Sequence, residues 1–338
     1  MFKKLTEFIA LKQKYFVGAI ALLMLLFPYI FTNAYLMRMA TISLMYVMLA
    51  MGINLIMGYM GQMTFGHAAF WGMGAYAAGI LSTRMHSNFI LDVIAGIIVA
   101  GVFAFLLGLS VLKVKGYYLT IVTLGFGEIV RLVELNSTSL TGGPLGIKGI
   151  PGIQLFSAEL YSGRAFYYAI LIMVAITILI LVRINSSRYG LALKSIRDDD
   201  SAAEVMGVNV VHNKILTFVI SAMIAGAAGA FYAHYVSYID STCFTTQASQ
   251  EMCVMVILGG LGSIPGTIVG AVVLTVVPEL IRSLMQYRML IYGVIMVVMM
   301  LVRLSENDHR YPRNHREYRE RKRVRSFRTC ERRLGRRR

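Results

Sequence analysis

Charged side chains inside an apolar segment are the first candidates for chemistry in this chain of 338 residues. Glu128 lies 11 residues into an apolar run that begins near Tyr117, which is about 16 Å along a helix that rises 1.5 Å per residue. Because a charge in hydrocarbon costs roughly 3 kcal/mol or more, it usually faces a partner or a water-filled path. Arg131 and Glu134 follow at three-residue steps, so we expect all three on one helix face, where the charges can neutralise each other. The group is either a satisfied salt bridge between helices or part of a path, and the sequence leaves both open.

Other ionisable side chains in apolar surroundings give weaker signals. His67 stands at the start of an apolar run that covers about residues 68–83. His234 and Glu251 lie near the ends of later runs, where long or polar side chains can snorkel to water. We therefore expect His234 and Glu251 to reach the membrane surface.

Motifs for nucleotide binding and hydrolysis do not occur. Residues 142–149 are rich in glycine and include Lys148, but they lack the spacing and the hydroxyl of a P-loop. Residues 72–77 match the dinucleotide pattern GxGxxA inside an apolar run, where small residues instead let membrane helices pack closely. No HExxH, GxSxG or Cys/His cluster is present, so the chain is predicted to bind no metal or cofactor and to be no enzyme.

The composition assigns these residues to a membrane protein. Hydrophobic residues make up 57% of the chain and charged residues 15%, and the mean hydropathy is +0.66, which is typical of a polytopic membrane protein. Several apolar runs approach the roughly 20 residues that a helix needs to span the bilayer. They cover about residues 15–31, 35–58, 68–83, 89–112, 117–135, 165–183, 214–237, 249–280 and 289–303.

The run at 249–280 is interrupted by the glycine-rich segment 259–266, which contains Pro265, and no straight helix carries such a segment. It is either one broken span or two. The positive-inside rule places basic residues near span ends in the cytoplasm and so favours two crossings. The sequence therefore predicts an all-α polytopic membrane protein with about nine transmembrane or re-entrant helices.

The charge asymmetry also predicts the topology and the division of the chain. The N-terminus and the loop at 184–213 fall in the cytoplasm, whereas the loop at 136–163 has Lys148 as its one basic residue before Arg164 and falls outside. Residues 304–338 carry 14 basic and 5 acidic residues of a chain with a net charge of +16. We expect a transmembrane domain at 1–303 and a basic, disordered cytoplasmic tail at 304–338. The alternative interpretation is that the tail anchors the chain to anionic lipid or nucleic acid. We choose the disordered tail and expect no nucleic-acid partner.

The cytoplasmic loop at 184–213 contains a predicted short helix. Acidic residues at 198–200 precede an alanine pair, an arrangement that favours a helix start through capping and the macrodipole. Gly207 provides a plausible stop. By itself the pattern is also typical of an amphipathic connector lying on lipid.

This loop resembles the EAA loop of ABC importer permeases, which docks into an ATPase subunit. Ala202, Ala203 and Gly207 match that pattern, and Ser201 stands where the pattern has Glu, with Asp200 beside it. Four longer segments resemble the branched-chain amino-acid permeases of the LivM type in the same order, over about residues 35–303. They are residues 61–70 (GQMTFGHAAF), 123–128 (TLGFGE), 139–144 (SLTGGP) and 256–263 (VILGGLGS). After Arg303 the resemblance ends, because Leu304-Ser305-Glu306 replaces the Pro-Gln-Gly with which that family continues.

The resemblance implies the ABC importer permease fold and an inner-membrane subunit of a bacterial importer for leucine, isoleucine and valine. Its implied partners are a homologous second permease, two cytoplasmic ATPase subunits that hold ATP and Mg²⁺, a periplasmic amino-acid-binding protein and membrane lipid. The implied ATPase-coupling helix contains Asp199, Asp200, Ser201, Ala202, Ala203, Glu204 and Gly207. The candidates for the translocation path are Gln62, His67, Glu128, Arg131 and Glu251.

Two other classes remain open on the residues alone. A self-sufficient secondary transporter for a small polar or zwitterionic solute would also have broken helices and buried carboxylates near the membrane centre. A non-transporting scaffold would leave the charges within the spans unexplained. Related permeases are expected for urea or amides, so the sequence does not fix the solute.

Overall fold

A computed structural model describes residues 24–29, 33–111, 117–155, 158–160, 163–280 and 293. The chain divides into two compact units, Met1–Met285 and Gln286–Arg338, and the description below concerns the first unit. Most of the predicted spans at 15–31 and 289–303, the boundary after residue 303 and the tail lie outside the described residues.

Helices form almost all of the described structure. Residues 24–29 are helical, and the later helices are α1 (Ala34–Asn54), α2 (His67–Met85), α3 (Phe89–Val111), α4 (Tyr117–Asn136), α5 (Thr138–Thr141), α6 (Gly163–Ser186), α7 (Arg188–Asp198), α8 (Asp200–Val205), α9 (Val210–Val236), α10 (Thr246–Gly259) and α11 (Ile264–Leu280). A π-helical turn, Leu55–Met60, extends α1. Each apolar run predicted between residues 35 and 280 corresponds to a helix, and the run at 249–280 forms two.

Four of these segments are long and apolar enough to cross a membrane, namely Ala34–Met60, Phe89–Ser110, Gly163–Ser186 and Val210–Val236. The all-α membrane prediction is therefore confirmed in its class. Short strands are an addition that the sequence did not predict: β1 (Ile147–Lys148) pairs antiparallel with β4 (Tyr238–Ile239), and β2 (Ile153–Leu155) pairs with β3 (Ala158–Leu160).

The core is built around α1 and α9. Helix α1 is buried along most of its length, as expected for a helix that is apolar on every side. Helix α9 packs closely on α2 and α3 through glycines: a Cβ on Gly74 would lie 2.2 Å from the Gly226 carbonyl oxygen, and a Cβ on Gly226 would lie 2.4 Å from that of Gly96. The prediction that the glycines at 72–77 serve packing is confirmed.

Helices α10 and α11 form an antiparallel hairpin with a tip at residues 260–263. A Cβ on Gly259 would lie 2.2 Å from the Gly266 carbonyl oxygen, so the two helices touch through their backbones. Helix α10 has 14 residues, a length of about 21 Å, which is shorter than the hydrocarbon core of about 30 Å. Helix α10 by itself is therefore too short to cross the bilayer.

The bundle has two ends, each marked by a contact between distant segments. At the Arg197 end, the Arg197 Nη1 donates to the Gly58 carbonyl oxygen at 2.6 Å, and the Gly262 amide donates to the Asn54 Oδ1 at 2.8 Å. At the Pro151 end, the His234 Nδ1 lies 2.8 Å from the Pro151 carbonyl oxygen. These contacts tie α7 and the hairpin tip to α1 at one end, and the loop before β2 to α9 at the other.

Candidate functional site

Two helices begin inside the bundle rather than at its surface. His67, the first residue of α2, has its Nε2 3.0 Å from the position of a Cβ on Gly52. Gly52 lies eight residues before the end of the π-helical turn, a distance of about 12 Å along a helix. The amide of Ala68 donates to the Ser249 Oγ of α10 at 2.8 Å, so the first turns of α2 and α10 are neighbours inside the bundle.

The carboxylate of Glu128 lies at the N-terminus of α10. The Thr246 Oγ1 donates to the Glu128 Oε1 at 3.2 Å, and the Arg131 Nε donates to the Glu128 Oε2 at 2.9 Å. A negative charge is stabilised near a helix N-terminus, so Glu128 is balanced both by Arg131 and by the helix. The predicted neutralisation of Glu128 by Arg131 is confirmed.

This ion pair is open on one side. The side chains of Glu128 and Arg131 are 36% and 27% exposed, and a Cβ on Gly125 would meet nothing within 4 Å. The same helix exposes large apolar side chains, among them Ile121 and Ile129. An ion pair that is open on one side of an otherwise apolar helix needs water or a polar partner surface beside it.

Glu134 differs from the prediction that placed it on the face of Glu128. A three-residue step turns a helix by about 300°, so two steps leave Glu134 about 120° around α4 from Glu128. Its side chain points into the bundle, is 5% exposed, and has no hydrogen bond to either carboxylate oxygen within the described ranges. The three-residue spacing was visible in the sequence, but the inward orientation was not.

His234 and Glu251 do not snorkel to the surface as expected. His234 is 1% exposed and its Nε2 lies 3.0 Å from the Asp92 Oδ2. Glu251 is buried on α10, where it accepts from the Gln247 Nε2 at 3.4 Å. Both predictions failed because α9 ends under the loop at 147–155 and α10 starts inside the bundle.

The remaining path candidates are divided between two places. His67 is buried where α1, α2 and α9 meet, whereas Gln62 lines a cavity of about 430 Å³ at the Arg197 end. Residues Met60, Gly61, Gln62, Met63, Thr120, Ile196, Arg197, Asp198, Asp199 and Asp200 line this cavity. The structure thus brings together Glu128 and Arg131 but not all five predicted candidates. In the described ranges no group of three His, Cys, Asp or Glu side chains could hold a metal ion.

The predicted helix in the loop at 184–213 is present as α8. The Asp199 side chain caps it, because its Oδ1 accepts from the Ser201 amide at 2.8 Å and from the Ala202 amide at 3.1 Å. Gly207 follows with a φ of +86°, a conformation that favours glycine after a helix. Helix α7, which precedes α8, was not predicted.

The orientation of α8 distinguishes its two alanines. Ala203 is 3% exposed and packs against its own chain, whereas Val205 is 87% and Met206 is 83% exposed. Ala202 is exposed as well. The exposed surface of α8 and the turn after it therefore includes Ala202, Val205 and Met206 but not Ala203.

Helices α7 and α8 are fixed to the rest of the Arg197 end by polar contacts. The Lys214 Nζ of α9 pairs with the Asp200 Oδ2 at 2.5 Å. The Tyr189 hydroxyl donates to the Asn213 carbonyl oxygen at 3.2 Å. Burial raises the pKa of Tyr189, so this hydroxyl keeps its proton. A movement of α8 is thereby tied to α9 and, through Arg197, to α1.

Comparison with known proteins identifies the family. Residues 35–302 match the family described as "Branched-chain amino acid transport system / permease component". The chain is 34% identical to the high-affinity branched-chain amino acid transport system permease protein LivM of Escherichia coli, with 86% of this chain and 74% of that protein covered. It is 26% identical to a probable LivM of Methanocaldococcus jannaschii, covering 70% and 78%, and 24% identical to LivH of Salmonella typhimurium, covering 78% and 90%.

No solved structure matches the chain. The family match covers more than half of the residues, and it includes every helix from α1 to α11. The chain therefore belongs to the family of branched-chain amino acid transport system permease components.

Proposed function

We propose that this chain is the membrane-spanning permease subunit of an ATP-binding-cassette importer that carries branched-chain amino acids across the bacterial inner membrane. The observation that carries the proposal is α8, a capped helix of 6 residues whose apolar tip, Val205 and Met206, is exposed. An exposed apolar tip beside charged residues is suited to docking on another protein. The family membership and the relatives named LivM and LivH support the same function.

In this proposal the energy comes from other chains. Two ATPase subunits hold ATP and Mg²⁺ and receive α8, a homologous second permease completes the path, and a periplasmic binding protein delivers the amino acid. This chain binds no cofactor and catalyses no reaction. Its N-terminus, the Arg197 end and the tail at 304–338 face the cytoplasm, and about nine helices cross or re-enter the membrane.

Arg197 is the proposed mechanical link between α8 and the membrane helices. It lies two residues before the Asp199 cap and donates to the Gly58 carbonyl oxygen of the π-helical turn. A Cβ on Gly61 would lie 2.9 Å from the Arg197 Cγ, and a Cβ on Gly262 would lie 3.3 Å from the Arg197 Nη1. One side chain thus touches the π-helical turn, the loop before α2 and the hairpin tip. Closure of the ATPase pair would move all three through Arg197 and bias the bundle between outward-facing and inward-facing states.

The proposed path follows the open side of α4. Glu128 and Arg131 line or support it, and Glu251, His67 and Gln62 lie along the segments that enter the bundle. A charged pair at this depth gives water and a zwitterion a polar surface in an otherwise apolar environment. Residues 305–338 have no part in this path, and we propose that transport does not need them.

The deciding experiment is co-purification of the ATPase with the full chain and its partner permease after mild solubilisation. Val205→Asp with Met206→Asp should abolish ATPase binding, because it places two charges in an apolar contact. Leu145→Asp is the matched control, since Leu145 is 70% exposed at the Pro151 end. Wild-type ATPase binding by the double variant would contradict the docking role of α8.

A secondary transporter is the alternative that the two helices beginning inside the bundle favour. The full chain in liposomes without ATPase should carry no leucine, isoleucine or valine down an ion gradient. Uptake under these conditions, abolished when the gradient is collapsed, would establish the alternative and refute the importer.

A further inference from the structure

A group of buried polar atoms between α2 and α4 has no hydrogen-bond partner in the described ranges. The group consists of the Trp71 Nε1, the Tyr76 Oη and both carboxylate oxygens of Glu134. The three residues are 2%, 4% and 5% exposed. Buried polar atoms are nearly always hydrogen-bonded in proteins, so these unpaired atoms are candidates for contact with a polar ligand.

The carboxylate and an aromatic ring meet at one point on α2. The position of a Cβ on Gly72 lies 2.7 Å from the Glu134 Oε1 and 2.9 Å from the Phe244 Cγ. The absence of a side chain at residue 72 is what leaves room for both groups. Gly72 follows Trp71 and lies one helical turn before Tyr76, so these two rings flank the same point.

The aromatic rings form a cage on this side of the carboxylate. The Phe244 ring centroid lies 4.8 Å from that of Trp71 and 5.9 Å from that of Tyr76, in both cases edge to face. Tyr232 packs on Trp71 with centroids 5.0 Å apart. Aromatic faces next to a carboxylate are the surroundings that attract an organic cation.

Arg131 donates no hydrogen bond to the Glu134 carboxylate. The Arg131 Nε bonds to Glu128, and no bond from Arg131 to Glu134 occurs. An ionised carboxylate that is buried without a hydrogen-bonded partner is strongly unfavourable. A ligand with a positive charge and N–H donors would satisfy the carboxylate and the Tyr76 hydroxyl together.

We propose that Glu134, with the cage of Trp71, Tyr76 and Phe244, binds the primary ammonium group of an aliphatic amino acid. This site rests on the proposed function, since it gives the importer a place for the charged end of its substrate in the half of the bundle toward the Pro151 end. Phe244 lies in the segment that leads into α10, so a shift of that segment would open the cage. Glu134 and Tyr76 contact the ligand, and Gly72 leaves room beside α2 for the Glu134 carboxylate and the Phe244 ring.

The test measures ligand binding by the full-length chain in detergent, and therefore does not depend on an ATPase. The probes are leucine, 3-methylbutylamine, which keeps the ammonium group, and 4-methylpentanoate, which keeps the carboxylate. Leucine and the amine should raise the unfolding temperature and bind in calorimetry, whereas the carboxylate should do neither. Glu134→Gln should weaken amine binding at least about ten-fold, because the charge partner is lost.

The controls separate this site from a structural role of Glu134. Asp198→Asn removes an exposed carboxylate at the Arg197 end and should bind the amine like the wild type. If Glu134 were an uncharged packing group, Glu134→Gln would also bind like the wild type, and the proposal would be wrong. Failure of the wild-type chain to bind the amine would overturn it as well.

Two further variants keep the proposal testable if Glu134→Gln does not fold. Tyr76→Phe removes one hydroxyl, and Gly72→Ala places a methyl group against the carboxylate and Phe244. Each should weaken amine binding, and unchanged binding in both would refute the site. Amine binding in a chain that recruits no ATPase would keep this site and refute the importer.

Discussion

The two ends of the bundle use their polar side chains differently. At the Arg197 end, polar groups join separate segments: Arg197 donates to Gly58, and Asn54 accepts from Gly262. Toward the Pro151 end, His234 joins α9 to the loop at Pro151, but the interior beneath it keeps Glu134 without a hydrogen bond. Unpaired buried atoms also occur near the Arg197 end, among them the Asn54 Nδ2 and the Gln62 Oε1, so the ends differ mainly in the contacts that Arg197 makes. In the proposals above, these contacts transmit movement at one end and Glu134 binds a ligand toward the other.

Among the single substitutions proposed, Arg197→Ala should cause the largest loss of coupling between ATP hydrolysis and uptake. Loss of the hydrogen bond to Gly58 should lower uptake and substrate-stimulated ATP hydrolysis by about ten-fold, which corresponds to the roughly 1.5 kcal/mol at the low end for hydrogen bonds to charged groups. ATPase binding should stay intact, because α8 and its Asp199 cap are unchanged. Both rates are measured in proteoliposomes that contain the complete complex.

Arg197→Lys is the control for charge. Lysine keeps the charge but not the planar group that reaches Gly58, so it should restore uptake only in part. Full activity of Arg197→Ala would show that α8 acts on the bundle by another route. Loss of ATPase binding would show that Arg197 holds the docking surface itself.

Glu128→Gln should have the next largest effect, since Arg131 then lacks its carboxylate partner. An uncompensated charge within a membrane helix costs roughly 3 kcal/mol or more, so thermal stability should fall together with uptake. The double variant Glu128→Gln with Arg131→Gln should recover stability but not uptake. Wild-type uptake in the single variant would reduce the pair to a packing role.

A feature could be predicted from the sequence when the residues that cause it are close together in the chain. Helix α8 was predictable because its cap, Asp199, and its stop, Gly207, are neighbours in the sequence. The buried face of α8 was not, since a helix of 6 residues is too short for a hydrophobic period to show which side faces inward. The sequence therefore could not show that Ala203 is buried while Ala202 is exposed.

Depth in the bundle was the least predictable property. The hydropathy of residues 68–83 correctly predicted α2, but its start inside the bundle depends on the path of residues 61–66. There the Phe65 amide donates to the Thr123 Oγ1 at 3.2 Å, and the Thr120 Oγ1 donates to the Met63 carbonyl oxygen. Such contacts join residues more than 50 positions apart, and no local pattern encodes them.

Asp92→Ala tests the other end and should have a moderate effect. The Pro151 carbonyl can only accept, so the His234 Nδ1 carries a proton and its Nε2 faces Asp92. Removing Asp92 also takes the acceptor of the Ser87 hydroxyl, and a buried group left unsatisfied costs about 1 to 3 kcal/mol. Stability and protection of the loop at 147–155 from proteolysis should fall.

Asp92→Asn keeps the size and shape of the side chain but removes its charge, so it shows which of the two the contact with His234 needs. An asparagine amide can donate to a neutral His234 Nε2, so the loop should stay protected and unfolding should occur near the wild-type temperature. Equal damage by both variants would show that the ionic form of the pair is required. Neither variant should reduce ATPase binding, because the contact lies at the Pro151 end.

Gly207→Ala, in the turn after α8, gives the smallest expected effect. It tests whether this turn belongs to the ATPase-docking surface at the Arg197 end. A Cβ there would meet nothing within 4 Å, so the cost is the left-handed backbone alone, about 1 kcal/mol for a residue with a Cβ. The Gly207 amide keeps its bond to the Glu204 carbonyl oxygen at 3.0 Å, and that of Val208 keeps its bond to Ala203. The affinity for the ATPase should therefore fall by no more than about five-fold, measured by titration of the purified chain.

Gly207→Asn should be closer to the wild type, because asparagine tolerates this conformation. A loss from Gly207→Ala as large as that from Val205→Asp with Met206→Asp would mean that the turn after α8 itself touches the ATPase, and the docking surface would then extend beyond the apolar tip.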